Sequence, residues 1–311
     1  MKQQEHIPVL LNEAIEGLNI KEDGIYVDCT LGRGGHSSYI LKQLKNPGHL
    51  FAFDQDQEAI EASSQLLSTI SPHYTLIHDN FSRLKENMIS QGIPLVNGIL
   101  FDLGVSSPMF DQQDRGFSYR FDGPLDMRMD QRNPITAASL INSLSEKELA
   151  DIFFKYSEER YSRRIAKQIF LVRKEKPILT TYELVDIIKS VVPAKYRAEQ
   201  HPAKRVFQAL RIAVNNELNV LEESLDQALD LLASGGRICV ISFHSLEDRI
   251  VKNKFKEVSS PATWNRNMPL VVDEEKPKFK LITKKPITPS PQELEVNPRS
   301  HSAKLRIIEK I

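Results

Sequence analysis

Three aspartates each close a short apolar run. Asp28 follows Ile25-Tyr26-Val27, Asp54 follows Leu50-Phe51-Ala52-Phe53, and Asp102 follows Ile99-Leu100-Phe101. Apolar runs of this length, bounded by polar turns, have the pattern of buried strands. After Asp28 comes a glycine-rich turn, Thr30 to His36, holding Gly32, Gly34 and Gly35, and then Ser37 to Leu44 with helical apolar spacing. Strand, glycine turn and helix form the first unit of a nucleotide-binding α/β fold. A carboxylate at that turn would repel a pyrophosphate but suits the cationic amino acid end of a ligand. Asp54, twenty residues past Gly34, is placed for ribose hydroxyls. A ligand with a ribose, a cationic end and no phosphate is S-adenosylmethionine.

The elements that must position these groups alternate along the chain. Ile7 to Leu18 reads as a lead-in helix. Strands are expected at Ile25–Val27, His49–Asp54, Tyr74–His78, Val96–Phe101 and Arg237–Phe243, and a last one with alternating pattern at Ser302–Glu309. Helical stretches separate the first four, which implies a mostly parallel sheet with its ligand at the carboxyl ends of the strands. Phe81, just past the third strand, either covers an adenine face or opens the next helix as a core aromatic. Ser234-Gly235-Gly236 is expected to end the helix Val220–Leu232, and the basic tail Lys276 to Pro286 to form a loop or edge strand.

Between the fourth and fifth strands the alternation stops. Leu103 to Asp130 has a loop composition with four aromatics, Phe110, Phe117, Tyr119 and Phe121, and is the natural lid over a reacting base. Helices are then expected over Glu146–Tyr156, opened by the capping box at Ser145, over Glu158–Lys174, over a stretch capped by Thr181 and running to Val192, and over Ala203–Asn216. Residues 111–211 hold 19 Lys and Arg against 14 Asp and Glu, so this stretch is +5 in a chain whose net charge is zero. The organisation expected is a methyltransferase domain at 1–110 and 206–311 with an inserted loop and helical substrate-recognition domain at 111–205.

The 311 residues are 41% apolar, enough for a real core, and no stretch approaches a membrane span of ~20 apolar residues. Met1 to His6 lacks the apolar region of a signal peptide. Cys29 and Cys239 both lie in apolar runs and read as reduced core residues of a cytoplasmic protein. No ligand spacing suggests a metal site.

With these segments placed, the chain resembles the bacterial RsmH/MraW family of S-adenosylmethionine-dependent methyltransferases. These act on a cytosine N4 of 16S ribosomal RNA in the small ribosomal subunit. The motifs carrying the resemblance are Thr30-Leu31-Gly32-Arg33-Gly34-Gly35-His36-Ser37, Asp102-Leu103-Gly104-Val105-Ser106-Ser107-Pro108, Arg115-Gly116-Phe117-Ser118, Gly123-Pro124-Leu125-Asp126-Met127-Arg128-Met129, Phe207-Gln208-Ala209-Leu210-Arg211-Ile212, Ser242-Phe243-His244-Ser245-Leu246-Glu247-Asp248-Arg249 and Asn297-Pro298-Arg299. They span nearly the whole chain. The resemblance implies a Rossmann-like methyltransferase sheet with an inserted helical domain. It implies that Gly34, Gly35, His36, Asp54, Phe81 and Asp102 hold the cofactor, and that Met109 stands where the family usually has a cofactor-binding Gln.

A cytosine amino group is a poor nucleophile because its lone pair is delocalised into the ring. Acceptors for its N–H bonds, and in-line placement at roughly 3–3.5 Å from the methyl, would activate it. Ser107-Pro108-Met109-Phe110 partly matches the Ser/Asp/Asn-Pro-Pro-aromatic motif of other amino methyltransferases, and its bland reading is a turn that supports Asp102. Asp102 and Ser107 are thus the candidate catalytic acceptors. His244, just past the fifth strand, is either a third catalytic group or a helix cap. Arg160, Arg163 and Arg164 suit RNA phosphates or a solvated helix face. Two other function classes are weighed: a dinucleotide-dependent oxidoreductase, disfavoured by Asp28, and a non-catalytic RNA-binding protein, disfavoured by the intact glycine turn and its acids.

Overall fold

The computed structural model describes residues 7–199, 201–260 and 277–311, less the side chains of residues 107 and 197–199. The expectations for Met1–His6 and Lys276 lie outside the described residues. The chain forms two compact units, Met1–Gly104 with Leu218–Ile311, and Val105–Glu217.

The first unit begins with α1 (Leu11–Leu18) and then alternates β1 (Ile25–Asp28), α2 (Gly35–Gln43), β2 (His49–Asp54), α3 (Gln57–Ser68), β3 (Tyr74–His78), α4 (Leu84–Ser90) and β4 (Val96–Asp102). The second unit follows. It contains α5 (Ser107–Asp111), α6 (Ala137–Ser143), α7 (Glu146–Ser157), α8 (Ser162–Val172), α9 (Thr181–Val191), α10 (Ala194–Glu199) and α11 (Lys204–Asn215). The chain then returns through α12 (Glu217–Leu231), β5 (Leu232–Ser242), α13 (Ser245–Ser259), β6 (Phe279–Leu281), α14 (Pro291–Val296) and β7 (Lys304–Lys310).

The seven strands pair in the order β3-β2-β1-β4-β5-β7-β6. β1 to β5 are parallel, and β7 runs antiparallel to both β5 and β6. Two-residue periodicity divides each strand between two cores. Val27, Phe51, Phe53, Ile99, Phe101, Ile238 and Val240 face one, covered by α4, α12 and α13. Tyr26, Leu50, Ala52, Leu100, Cys239 and Ile241 face the other, covered by α1, α2 and α3. A parallel sheet must be covered on both faces, which is why its strands read as continuous apolar runs rather than alternating ones. Strand order reverses between β1 and β4, so the ligand crevice of such a sheet opens at their carboxyl ends. Asp28, Asp54 and Asp102 are the last residues of β1, β2 and β4.

Several expected boundaries move. Gly235-Gly236 does not end a helix. It lies inside β5, where the register against β4 shifts between Val96 and Gly98, so the irregularity is a bulge in the strand. The helix expected from Glu158 starts at Ser162, because Glu158 takes a left-handed conformation that closes α7. Thr180 rather than Thr181 caps α9, accepting from the Glu183 N–H.

The segment expected as a lid is instead part of a folded core. It holds α5 and a 3-10 turn, Gln113–Arg115, and buries Met109, Phe117, Leu125, Met127 and Met129 with residues of α6 to α9 and α11. Arg115 is 3% exposed, and its Nη2 donates to the carbonyls of Arg128 and Met129 at 3.1 and 3.2 Å. The second unit accordingly runs from Val105 to Glu217 rather than 111–205: α11 contributes Val206, Phe207, Ala209, Leu210 and Val214 to that core.

Candidate active site

The glycine turn after β1 is shaped from inside. Asp28 is 1% exposed and accepts the Ser37 hydroxyl at 2.7 Å and the Thr30 N–H at 3.0 Å. Its carboxylate therefore pins the turn, where a contact to a ligand's cationic end was expected. Burial raises its pKa, and the hydrogen bonds from Ser37 and Thr30 oppose that rise. Gly34 precedes α2 at φ 76°, a conformation costly for a residue with a side chain. At Gly35 a Cβ would lie 2.5 Å from Pro8, so the space left by the absent side chain is filled by the chain's own lead-in segment.

His36, 5% exposed, ties three pieces together. Its Nε2 lies 3.1 Å from the Val9 carbonyl, and its Nδ1 lies 3.5 Å from Asp102 Oδ2. The carbonyl requires a proton on Nε2. In the neutral ring Nδ1 then presents a lone pair toward Asp102. Thr30 completes the link from the turn to β4, its hydroxyl accepting the Asp102 N–H at 2.6 Å.

Asp54 accepts the Gly32 N–H at 2.8 Å on one oxygen and the Asp56 N–H at 2.9 Å on the other. Burial raises its pKa to about 7, the two amide bonds lower it, and Asp56 and Asp28 raise it further. Asp102 stands out. Its Oδ1 is buried and has no hydrogen-bond partner among the described residues. Burial, then the charges of Asp28 and Glu247, push its carboxyl well above the ordinary range. Leaving a buried acceptor unmade is costly, so such an atom in a native site marks a place for a donor. Phe81 opens a 3-10 turn after β3 and packs edge-on against Phe101 with ring centroids 5.6 Å apart, at the margin of the core.

His244 caps α13. Its Nδ1 accepts the Glu247 N–H at 3.4 Å, while Glu247 Oε2 accepts the N–H groups of Phe243 and His244 at 2.8 and 3.2 Å. The His244 Nε2 is buried 3.1 Å from Glu247 Oε1, outside hydrogen-bonding geometry, and has no partner among the described residues. Of the sequence-derived site residues, the first unit thus holds Gly34, Gly35, His36, Asp54, Phe81, Asp102 and His244. The second unit holds Ser107, the first residue of α5, and Met109, 5% exposed in that unit's core. Sequence reading passed over Thr30, Ser37 and Glu247 as positioning residues. The acid three residues after His244 was a legible signal of a cap.

What the first unit can hold follows from its charges. Asp28, Asp54 and Asp102 raise one another's pKa values, and no lysine or arginine pairs with any of them among the described residues. An anionic cofactor end would worsen that repulsion; a cationic ligand bearing a ribose would relieve it. The donor set fits S-adenosylmethionine, with its ammonium and sulfonium charges.

The chain matches the model of the MraW methylase family over residues 3–311. Among solved structures it is similar to an rRNA methylase from Streptococcus thermophilus, with 14% identity, 97% of this chain and 93% of that chain covered, and a TM-score of 0.42. It is also similar to SMU.1697c from Streptococcus mutans, solved in complex with SAH, with 13% identity, 98% and 100% covered, and a TM-score of 0.46. Likeness at these levels adds nothing to the fold read directly from the sheet.

Proposed function

The chain belongs to the MraW methylase family, and from that premise we propose that it methylates the exocyclic N4 amino group of a cytosine in 16S ribosomal RNA of the small subunit. Family membership makes it a methyltransferase that uses S-adenosylmethionine. The observation that carries the finer reading is the buried, unpartnered Oδ1 of Asp102 at the carboxyl end of β4. An amino group has N–H bonds to give such an atom, and a ring carbon does not.

The bound cofactor supplies an electrophilic methyl on a positively charged sulfur. Asp54 accepts the ribose hydroxyls, Phe81 flanks the adenine, and Gly34, Gly35 and His36 line the turn beside it. Asp102 in its carboxylate form accepts one N–H of the cytosine amino group, localising the nitrogen lone pair toward the methyl. Cationic charge next to Asp102 lowers the raised pKa and returns the group to that form. When the N–C bond forms, the amino proton passes to Asp102, with the His36 Nδ1 3.5 Å away as the neighbouring acceptor. Ser107 is the second acceptor on the amino group. Met109, where the family has Gln, contributes apolar packing.

The base must be unpaired or flipped to reach such depth, at a cost of a few kcal/mol. C5 chemistry would call for a thiolate nucleophile. Cys29 and Cys239 are both buried, and burial raises both thiols, which disfavours thiolates. The test is incubation of small-subunit RNA with the enzyme and labelled cofactor, followed by digestion and mass spectrometry separating the two methylcytosines. N4-methylcytidine is expected, with Asp102→Ala cutting the rate under saturating cofactor by about a hundredfold and Ser107→Ala by less. 5-Methylcytidine as product would overturn the roles of Asp102 and Ser107.

A further inference from the structure

The second unit carries a cavity of its own, about 460 Å³, lined by Tyr119, Arg120, Tyr182, Asp186, Lys189 and His201. Its volume falls within the range of small-ligand sites. One wall is an aromatic plate. The Tyr119 and His201 rings stack with centroids 4.2 Å apart and planes 12° from parallel, and Tyr119 rests edge-on against core Phe207 at 5.7 Å. Tyr182, in the first turn of α9, is 44% exposed, and its hydroxyl donates to the Arg120 carbonyl at 3.0 Å. Thr181 donates to the Phe121 carbonyl at 2.7 Å, so the strip carrying Tyr119 and Arg120 is fastened to the start of α9.

The charges are arranged with equal economy. Tyr182, Asp186 and Lys189 share one face of α9 by helical spacing. Arg120 has no ion pair among the described residues, and Lys189 has only a loose one, 3.9 Å from Asp186. The His201 Nδ1 accepts the Ala203 N–H at 3.3 Å, which leaves Nε2 as the protonated nitrogen of the neutral ring. Burial, then the charges of Lys189 and Arg120, lower the pKa of His201. The ring stays neutral and serves as a flat surface, while the cations beside it are available to an anion.

We propose that this cavity is a nucleotide subsite that grips one unpaired nucleotide of the RNA substrate, its base against the aromatic rings and its phosphate between Arg120 and Lys189. The inference rests on the RNA-methyltransferase reading and gives the inserted unit a specific task. Flat rings beside unpaired cations match the stacking-plus-phosphate chemistry of single-stranded RNA. An apolar ligand would leave the cations unused, and an acidic peptide would leave the rings unused.

The experiment measures binding of a short, unpaired, fluorescent oligoribonucleotide by anisotropy, together with steady-state methyl transfer. Tyr182→Ala is expected to weaken RNA binding about tenfold, and Tyr182→Phe, which keeps the ring, to restore it. Arg120→Ala with Lys189→Ala is expected to weaken binding and lower the salt slope by about one. In all three the KM for RNA follows the binding, while kcat and the KM for S-adenosylmethionine stay at wild-type values. Thiouridine-substituted RNA is expected to crosslink to the peptides bearing Tyr119 or Tyr182. Wild-type binding and slope in both the Tyr182→Ala and the double-alanine proteins, or crosslinks confined elsewhere, would overturn the subsite. Methyl transfer to cytosine alongside that result would leave the proposed reaction standing. Conversely, variant-sensitive binding without any methyl transfer would keep the subsite and remove the reaction.

Discussion

At Asp54 a single side chain connects pH to cofactor binding. Its carboxyl is held at about 7, chiefly by burial, so near neutral pH half of the ligand-free protein carries it protonated. The ionised form accepts ribose hydroxyls better. Affinity for S-adenosylmethionine should therefore rise as pH climbs through 7 and level off above it, with a proton released on binding below that plateau. Calorimetry in two buffers of different ionisation enthalpy checks this, and Asp54→Ala should abolish the pH dependence and weaken binding about ten- to a hundredfold. The same raised pKa has a stability consequence of opposite sign. Its contribution to folding is complete below the unfolded carboxylate value and is lost as pH rises through about 7. The position of Asp54 at a strand end was readable from the chain. Its raised pKa was not, because it depends on burial and on Asp56 and Asp28 lying close in space.

The start of α13 is where a chemical and an architectural reading of one residue compete. His244 and Glu247 satisfy three N–H groups at the helix entry. The expected outcome follows from that geometry. His244→Asn, which retains an acceptor for the Glu247 N–H, should keep near-wild-type stability and most of the methyl-transfer rate. His244→Leu, which does not, should lose about 1 kcal/mol in urea unfolding. A His244→Asn protein that is fully stable but slowed a hundredfold would return His244 to the chemistry. Glu247→Ala should cost more, roughly 1–3 kcal/mol, because it orphans the N–H groups of Phe243 and His244. The pattern His-x-x-Glu shows in sequence, but the identity of the cap depends on where β5 ends, and that is settled by its pairing with β4 and β7.

Across the whole molecule, charge is distributed unevenly: the stretch 111–211 is +5 and the remainder −5. On α8, Arg163 and Arg164 are exposed and have no ion-pair partner among the described residues, and Arg160 is exposed just before them. If they meet RNA phosphates, Arg163→Ala with Arg164→Ala should lower the salt slope of RNA binding by about 1.4, two contacts at ~0.7 each for single strands. S-adenosylmethionine affinity should be unchanged, since its proposed contacts lie mainly in the first unit. An unaltered slope in the double mutant would assign these arginines to a solvated helix face. Among the described residues no helix is long and apolar enough to cross a membrane.

The chain by itself determined the strand–turn–helix order, the three acids at strand ends and the existence of an inserted helical stretch. These rest on local periodicity and on glycine and capping chemistry, which act over a few residues. Only the tertiary structure decided which acid is spent and which is available. Asp28 and Asp54 look alike in sequence, yet Asp28 is consumed by Ser37 and Thr30 within the turn, while Asp102 is left with a bare buried oxygen. Likewise a segment with the composition of a loop became a core wall, because Met109, Phe117 and Met127 found apolar partners on α6 to α9 and α11 far along the chain. Hydrogen-bond satisfaction and burial are properties of packing between distant segments, and no window of sequence contains them.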